Sequence, residues 1–153
     1  MTTKIQLRRD ISTNWVAANP ILHEAEPGYE LDTGKIKYGD GINHWNDLLY
    51  STVLPINPQF SSYTIQESDA GKIITITSGS VTVPNLTMSA GSIVTIYNNS
   101  GSSIPINQGA DLTLQWSGQM RSMTGNRTLG LYSICTITFI SSSIAVISGI
   151  GLI

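Results

Sequence analysis

Apolar and polar residues exchange places over short distances along this chain, and the dominant period is two. Ile5 and Leu7 alternate with Gln6 and Arg8, which predicts a short strand. Asp10 or Ser12 then stands where a side-chain oxygen accepts from the free N–H groups of a short helix. That helix carries Trp15 and Val16 and is stopped by Asn19-Pro20. Glu26-Pro27-Gly28-Tyr29 reads as a turn and Tyr29 to Leu31 as a strand. Asp32-Thr33-Gly34-Lys35 reads as a tight reversal into a strand ending at Tyr38. A further reversal at Gly39-Asp40-Gly41 precedes Trp45, Leu48 and Leu49.

The stretch 51–62 holds Pro55 and Pro58 among polar residues and reads as an extended connector. Beyond it the pattern is β throughout. Strands are expected at 72–77, 80–83, 92–98, 104–107, 111–116, 129–139 and 144–148, separated by Ser-Gly, Asn-Asn-Ser-Gly and Gln-Gly turn signals. The fold class is therefore mainly β: an arm of short strands and hairpins with one short helix at 1–50, a linker at 51–62, and a β-sandwich or jelly-roll-like module at 63–153.

Composition sharpens this picture. Only 12% of the 153 residues are charged, and the net charge is -2, which leaves no electrostatic footprint for nucleic acid or an anionic membrane. The charge is also unevenly placed, because beyond Lys72 only Asp111, Arg121 and Arg127 remain. Cys135 stands alone, so no intrachain disulfide forms. No secretory leader and no membrane-spanning run is expected, and the apolar end at 144–153 reads as a last strand. Strands this poor in Lys risk edge-to-edge pairing, which a closed symmetric oligomer would suppress. Fifty residues of short elements enclose little apolar surface alone. Trp15, Tyr29, Tyr38, Trp45 and Tyr50 are accordingly expected to meet other chains.

Candidate chemistry is sparse. Asp32-Thr33-Gly34 matches the aspartic-protease tripeptide, but Lys35 and Glu30 beside it favour a plain hairpin turn. His23 and His44 lack a second ligand at metal spacing, and Gly39-Asp40-Gly41 lacks the acidic series of a calcium loop. No metal, cofactor or catalytic residue is assigned. Cys135 sits in an apolar strand without a basic neighbour, and no serine stands in a Gly-x-Ser-x-Gly setting. Asn85-Leu86-Thr87, Asn98-Asn99-Ser100 and Asn126-Arg127-Thr128 fit the glycosylation pattern only as chance matches. Tyr97, Trp116, Arg121 and Tyr132 make a weak surface-binding patch for sugar faces, with core packing the commoner use of such residues.

One resemblance is specific. Ile5-Gln6-Leu7-Arg8-Arg9-Asp10, Asn14-Trp15, Asn19-Pro20-Ile21-Leu22, Glu26-Pro27-Gly28-Tyr29-Glu30, Asp32-Thr33-Gly34-Lys35, Lys37-Tyr38-Gly39-Asp40-Gly41 and Trp45-Asn46-Asp47-Leu48 follow in order. This series resembles the N-terminal repeat of phage tail-fibre and tail-associated hyaluronidase proteins and covers about a third of the chain. Asp69-Ala70-Gly71-Lys72, Val81-Thr82-Val83-Pro84 and Gly91-Ser92-Ile93-Val94 resemble, less distinctively, small distal modules of phage fibres. The resemblance implies a homotrimeric structural part of a virion, made in the host cytoplasm, with no catalytic residues of its own. In that family the lyase chemistry belongs to a long further domain, for which the chain has no room.

Three functions are then compared. The first is a short trimeric tail fibre or fibre-tip protein that contacts tail proteins and leaves room for a host-surface glycan. The second is a capsid decoration (cement) protein or head fibre on the major capsid protein. The third, a free carbohydrate-binding or lytic protein, needs convergent carboxylates, and beyond Lys72 the only acidic residue is Asp111.

Overall fold

A computed structural model describes residues 6–85, 88–118 and 123–153. The chain divides into two compact units, Met1–Leu54 and Pro55–Ile153. Each is built differently.

In the first unit β1 (Arg8–Asp10) runs parallel to β2 (Pro27–Glu30), and β2 is antiparallel to β3 (Ile36–Tyr38). Helix α1 (Ser12–Ala18) makes the crossover from β1 and ends at Asn19, whose φ of 41° closes it. The strand expected from Ile5 starts instead at Arg8; Ile5 itself lies outside the described residues. Asp10 also does something other than receive the helix N–H groups, since its carboxylate accepts from Ile11 N and from the Asn14 amide. Asp32 takes that task from the turn after β2, accepting from Ser12 N at 2.8 Å and Ser12 Oγ at 2.6 Å. The protease-like tripeptide is thus a turn that ties down a helix start.

The core of this unit is a stacked pair, Trp15 on Trp45, with ring centroids 4.2 Å apart. Leu22 completes it. Gly28 permits the stack: a Cβ there would stand 2.5 Å from a Trp45 ring carbon. Gly39 serves the same close approach, its missing Cβ leaving room for the His23 carbonyl.

The second unit carries β4 (Ile56–Gln59), β5 (Tyr63–Thr64), β6 (Ile73–Ile76), β7 (Val81–Val83), β8 (Ile93–Asn98), β9 (Ile104–Gln108), β10 (Thr113–Trp116), β11 (Arg127–Ser141) and β12 (Ile144–Leu152). All seven strands expected from the alternation are present, and the fold is mainly β as anticipated. The stretch taken for a connector supplies β4. All nine strands form one sheet, nearly closed like a barrel, along the path β4-β6-β8-β11-β9-β7-β5, with β12 on β11 and β10 on β12.

Parallel pairing is what the sequence pattern left unsaid. The strands β4, β6 and β8 stack in parallel, and so do β5, β7 and β9, so the chain winds as a short two-walled coil. Strand β11 then closes it, running antiparallel to β9 with residues 127–129 and to β8 with residues 134–138. Period-two alternation sends one residue set inward: Ile74, Ile96 and Cys135 share a row, as do Val94 with Ile137. Burial pushes the Cys135 thiol up to about 12, so it stays protonated and inert.

Each outer edge of the coil presents one pairing group fewer than a regular strand would. Ile73 N and Thr77 N of the neighbouring strand donate to the Pro55 and Gln59 carbonyls. Residues 56 and 58 of β4 therefore face the open edge, and Pro58 has no N–H to offer there. At the other edge the Gln66 side chain donates to the Thr64 carbonyl at 2.8 Å. Inside, Asp69 is buried and accepts from Asn57 Nδ2, Tyr63 OH and Gln66 N, each at 2.8 Å, which plugs the end of the coil with satisfied polar groups.

Reopening both edges should show in solution. The double variant Pro58→Thr and Gln66→Ala is expected to lose no more than ~1 kcal/mol of stability. Its light scattering should rise steadily on storage at a concentration where the parent chain stays clear. Equal clarity of the two samples over that period would mean that the edges are protected by something else.

Candidate functional site

The first unit is short of interior. Beneath its tryptophans lies a polar layer: Lys37, 5% exposed, donates from Nζ to the Trp45 carbonyl at 2.7 Å. Its ammonium also lies 4.9 Å from the Trp45 ring and 4.5 Å from the Tyr50 ring. Desolvation holds the Lys37 pKa below the usual lysine range, with Glu30 and Asp47 opposing it. Glu30 is fully buried and accepts from Tyr50 OH at 2.7 Å and from Thr33 Oγ1. That bond raises the Tyr50 pKa. Trp15 Nε1 donates to the Tyr29 carbonyl at 3.0 Å, and His44 Nδ1 is 2.7 Å from the Asn19 carbonyl at the helix end.

The five aromatic residues expected to make contacts with other chains therefore separate. Trp15 and Trp45 bury against each other within the chain, Tyr29 and Tyr50 are half-buried beside them, and Tyr38 is exposed. The outward apolar surface comes from other side chains. Among the described residues of this unit, Trp15, Leu22, Trp45 and Leu48 are the buried hydrophobics. Large exposed ones outnumber them, among them Val16, Ile21, Leu31, Ile42 and Leu49. Ile42 is 77% exposed. The unit thus exposes more large apolar side chains than it buries. Alternation could not reveal these residues, because Val16 sits on the outward side of a two-turn helix and the others lie outside the strands.

Carboxylates stitch the loops that present this surface. Glu26 accepts from His23 N at 2.8 Å and pairs with Arg8 at 3.4 Å. Asp40 accepts from Asn43 N at 2.8 Å and Ile42 N at 3.0 Å. The His23 N–H holds the Glu26 pKa below its ordinary value; the Ser12 hydroxyl does so for Asp32 and the Asn43 N–H for Asp40.

In the second unit the expected surface patch also separates. Tyr97 lies on the outward row of β8 and pairs in register with Ile134 on β11, which pairs in turn with Ile150 on β12. Trp116 points to the opposite side of the sheet and packs on the core, and Arg121 lies outside the described residues. Tyr132 belongs with Tyr97. The β11–β12 register shifts between Leu129 and Ile134, so residues 130–133 bulge outward. Tyr132 is 62% exposed there and holds a φ of 51°. Asn98 anchors the bulge from beneath. Its Nδ2 donates to the carbonyls of Ser102, Leu129 and Gly130 at 2.9, 3.2 and 2.8 Å, while Oδ1 accepts from Ser100. A bulky residue held in the left-handed region stores strain, here beside an uncharged outward row of half-buried Tyr97 and exposed Ile134 and Ile150. Nothing in the pattern around Asn98, read as a strand end leading into a turn, announced this anchoring role.

No cluster of His, Cys, Asp or Glu able to hold a metal occurs among the described residues, and no described helix is long and apolar enough to cross a membrane.

Comparison with known proteins bears on the first unit. Residues 5–43 match the family model of the Major tropism determinant N-terminal domain. The hyaluronoglucosaminidase of Streptococcus pyogenes phage H10403 is 39% identical over 54 residues, covering 35% of this chain and 16% of that protein. Its counterpart from Streptococcus pyogenes phage H4489A is 41% identical over 49 residues, covering 32% of this chain and 13% of the other. Among solved structures, a group A streptococcal phage-encoded tail-fibre showing hyaluronan lyase activity matches 34% of this chain and 16% of its own length at 38% identity, with a TM-score of 0.32. A full-length streptococcal bacteriophage hyaluronidase in complex with unsaturated hyaluronan octa-saccharides matches 33% and 14% at 40% identity, with a TM-score of 0.31. The N-terminal segment is therefore related to that of phage tail-fibre proteins, as its motif order implied, while the chain spans about a sixth of the relatives' length.

Two outcomes follow from the geometry. The three depressed carboxylates stabilise the first unit above their ordinary pKa values, and that stability is lost as pH falls through their lower folded values. The exciton circular-dichroism signal of the Trp15–Trp45 stack should disappear over that acid range, and Asp40→Asn should weaken the signal's acid dependence. Separately, Tyr132→Gly should raise stability by about 1 kcal/mol by relieving the left-handed strain, whereas Tyr132→Ala should not. Chemical denaturation of the two variants side by side distinguishes them.

Proposed function

We infer that the chain is a non-enzymatic structural component of a bacteriophage particle: a short, homotrimeric tail-fibre or fibre-tip protein. Residues 1–54 attach it to other virion proteins, and residues 55–153 are displayed for contact with the host surface. The match of residues 5–43 to a tail-fibre-related family carries this reading. The outward apolar side chains of the same unit support it, because Ile21, Ile42 and Leu49 need neighbours that the unit itself does not supply. In the displayed module the Tyr132 bulge beside Tyr97 supports a glycan contact, since aromatic faces stack on the apolar faces of sugars.

The mechanism is additive. Identical apolar contacts, repeated by symmetry, lower the free energy of the assembled particle, and no bond is made or broken.

Particles assembled with the triple variant Ile21→Asp, Ile42→Asp and Leu49→Asp should lack the protein. The variant itself should unfold within ~0.5 kcal/mol of the parent per site. Normal incorporation would exclude this face as the attachment surface. Immunogold labelling of wild-type particles at the capsid rather than the tail would replace the fibre reading by a capsid decoration protein. A monomer in light scattering at micromolar concentration would remove the trimer, and turnover of a polysaccharide would remove the non-enzymatic reading.

A further inference from the structure

The two walls of the β module are finished differently on the outside. On the wall of β5, β7 and β9 the outward positions are Thr64, Thr82 and Asn107 in one row, and Pro105 beside Thr128 of β11 in the next. The wall of β4, β6, β8, β11 and β12 turns isoleucine outward instead. Three rows cross β8, β11 and β12 in register: Tyr97, Ile134 and Ile150, then Thr95, Thr136 and Ser148, then Ile93, Thr138 and Val146. Ile73 and Ile56 stand beside this grid on β6 and β4. Ile150 is 84% exposed, and Ile56, Ile93 and Ile134 are exposed with it.

Strand formation does not require this difference. Thr and Ile are both β-branched and both suit a pleated strand, so the threonine-faced wall shows how little the coil needs outside in order to fold. Isoleucine on the outside of one wall alone is placed for burial that this module does not provide. The chemistry of the face selects what covers it. None of its outward strand positions carries a charge. A charged partner would lose hydration there and meet no counter-charge. A lipid or wholly apolar surface would leave the middle row of hydroxyls unpaired. A hydroxyl both donates and accepts, so its natural match is another hydroxyl. Two apolar-rich rows with a hydroxyl row between them therefore fit a second face striped the same way at the same spacing. The chain itself supplies one, and copies arranged about an axis along the strands bring like row against like row.

We propose that this face, centred on the Thr95–Thr136–Ser148 row, is where a second copy of the chain packs against the β module. The inference rests on the oligomer of the preceding subsection and adds the surface through which its β modules meet. Five strands about 4.8 Å apart and three rows about 6.8 Å apart span roughly 300 Å2. A standard interface takes about 800 Å2 from each partner, so this face supplies part of a contact that other regions complete. Its loss weakens association and leaves the fold intact. The Tyr132 bulge lies past the last row, at the rim of the contact.

Sedimentation equilibrium of the full chain, from micromolar to millimolar concentration, tests the face. The triple variant Ile93→Asp, Ile134→Asp and Ile150→Asp is compared with the parent, and Thr64→Asp, Asn107→Asp and Thr128→Asp put the same charges on the other wall. The parent should associate, the first variant should need a roughly tenfold higher concentration or more to reach the same mass, and the second should match the parent. A first variant that associates like the parent overturns the face and leaves the oligomer standing. A parent that stays monomeric throughout overturns both. Equal weakening by the two variants marks a general charge effect and also overturns the face. Should the first variant fail to fold, a nitroxide on Ile150→Cys in the otherwise unchanged chain takes its place, since the buried, protonated Cys135 accepts no label. Dipolar broadening between copies is expected at that site and not for a nitroxide on Thr64→Cys; absent broadening at Ile150→Cys, or equal broadening at both, rejects the contact.

Discussion

The first unit hangs on the face-to-face contact between Trp15 and Trp45. One comes from a helix of barely two turns and the other from a single 3-10 turn, and neither element has the length to be stable by itself. Stacked at 4.2 Å, the rings hold the crossover helix against the loop that follows β3, and the glycine at 28 brings the sheet up to them without a side chain between. Everything else in the unit is arranged around that contact. Lys37 and Glu30 are buried because the ring pair covers ground that a larger core would fill with aliphatic side chains; Lys37 donates to the Trp45 carbonyl and Glu30 accepts from Tyr50. A core this thin leaves Ile42 and Leu49 in water.

The β module solves the opposite problem. It has ample apolar material, and its difficulty is keeping charge-poor strands from pairing with strangers. Lysine is the usual guard at such edges, and this sheet has little of it; a proline without an N–H and a glutamine folded over its own strand do the work instead. With fewer open pairing groups at β4 and β5, edge protection alone gives no argument for a symmetric oligomer.

Much of this was legible in the sequence, and the reason differs from element to element. Ile74 and Ile76, Val81 and Val83, and Ile137 and Phe139 alternate cleanly with Thr and Ser, so strand positions followed from period two alone. Pairing direction did not follow, because alternation says which residues face inward and nothing about which strand lies alongside. Pro55 and Pro58 suggested a connector; at an edge, however, a proline is tolerated, and β4 is an edge strand. In the first unit, aromatic identity was a good guide to importance and a poor guide to exposure, since Trp15 and Trp45 satisfy one another. The Tyr132 bulge depends on a register shift between two strands, and the striped outer face on rows assembled from three, so neither leaves a local mark.

The winding of the β module carries an implication for its variation. Asn57, Ile74 and Ile96 fall in line as the chain passes the same wall three times, so each circuit is a self-contained layer resting on the one before. Lengthening such a body means inserting a whole circuit between two existing ones, with the terminal plug and the closing strand left untouched. Growth by layers would change the reach of the molecule while preserving its cross-section, much as a stack of washers gains height without gaining width.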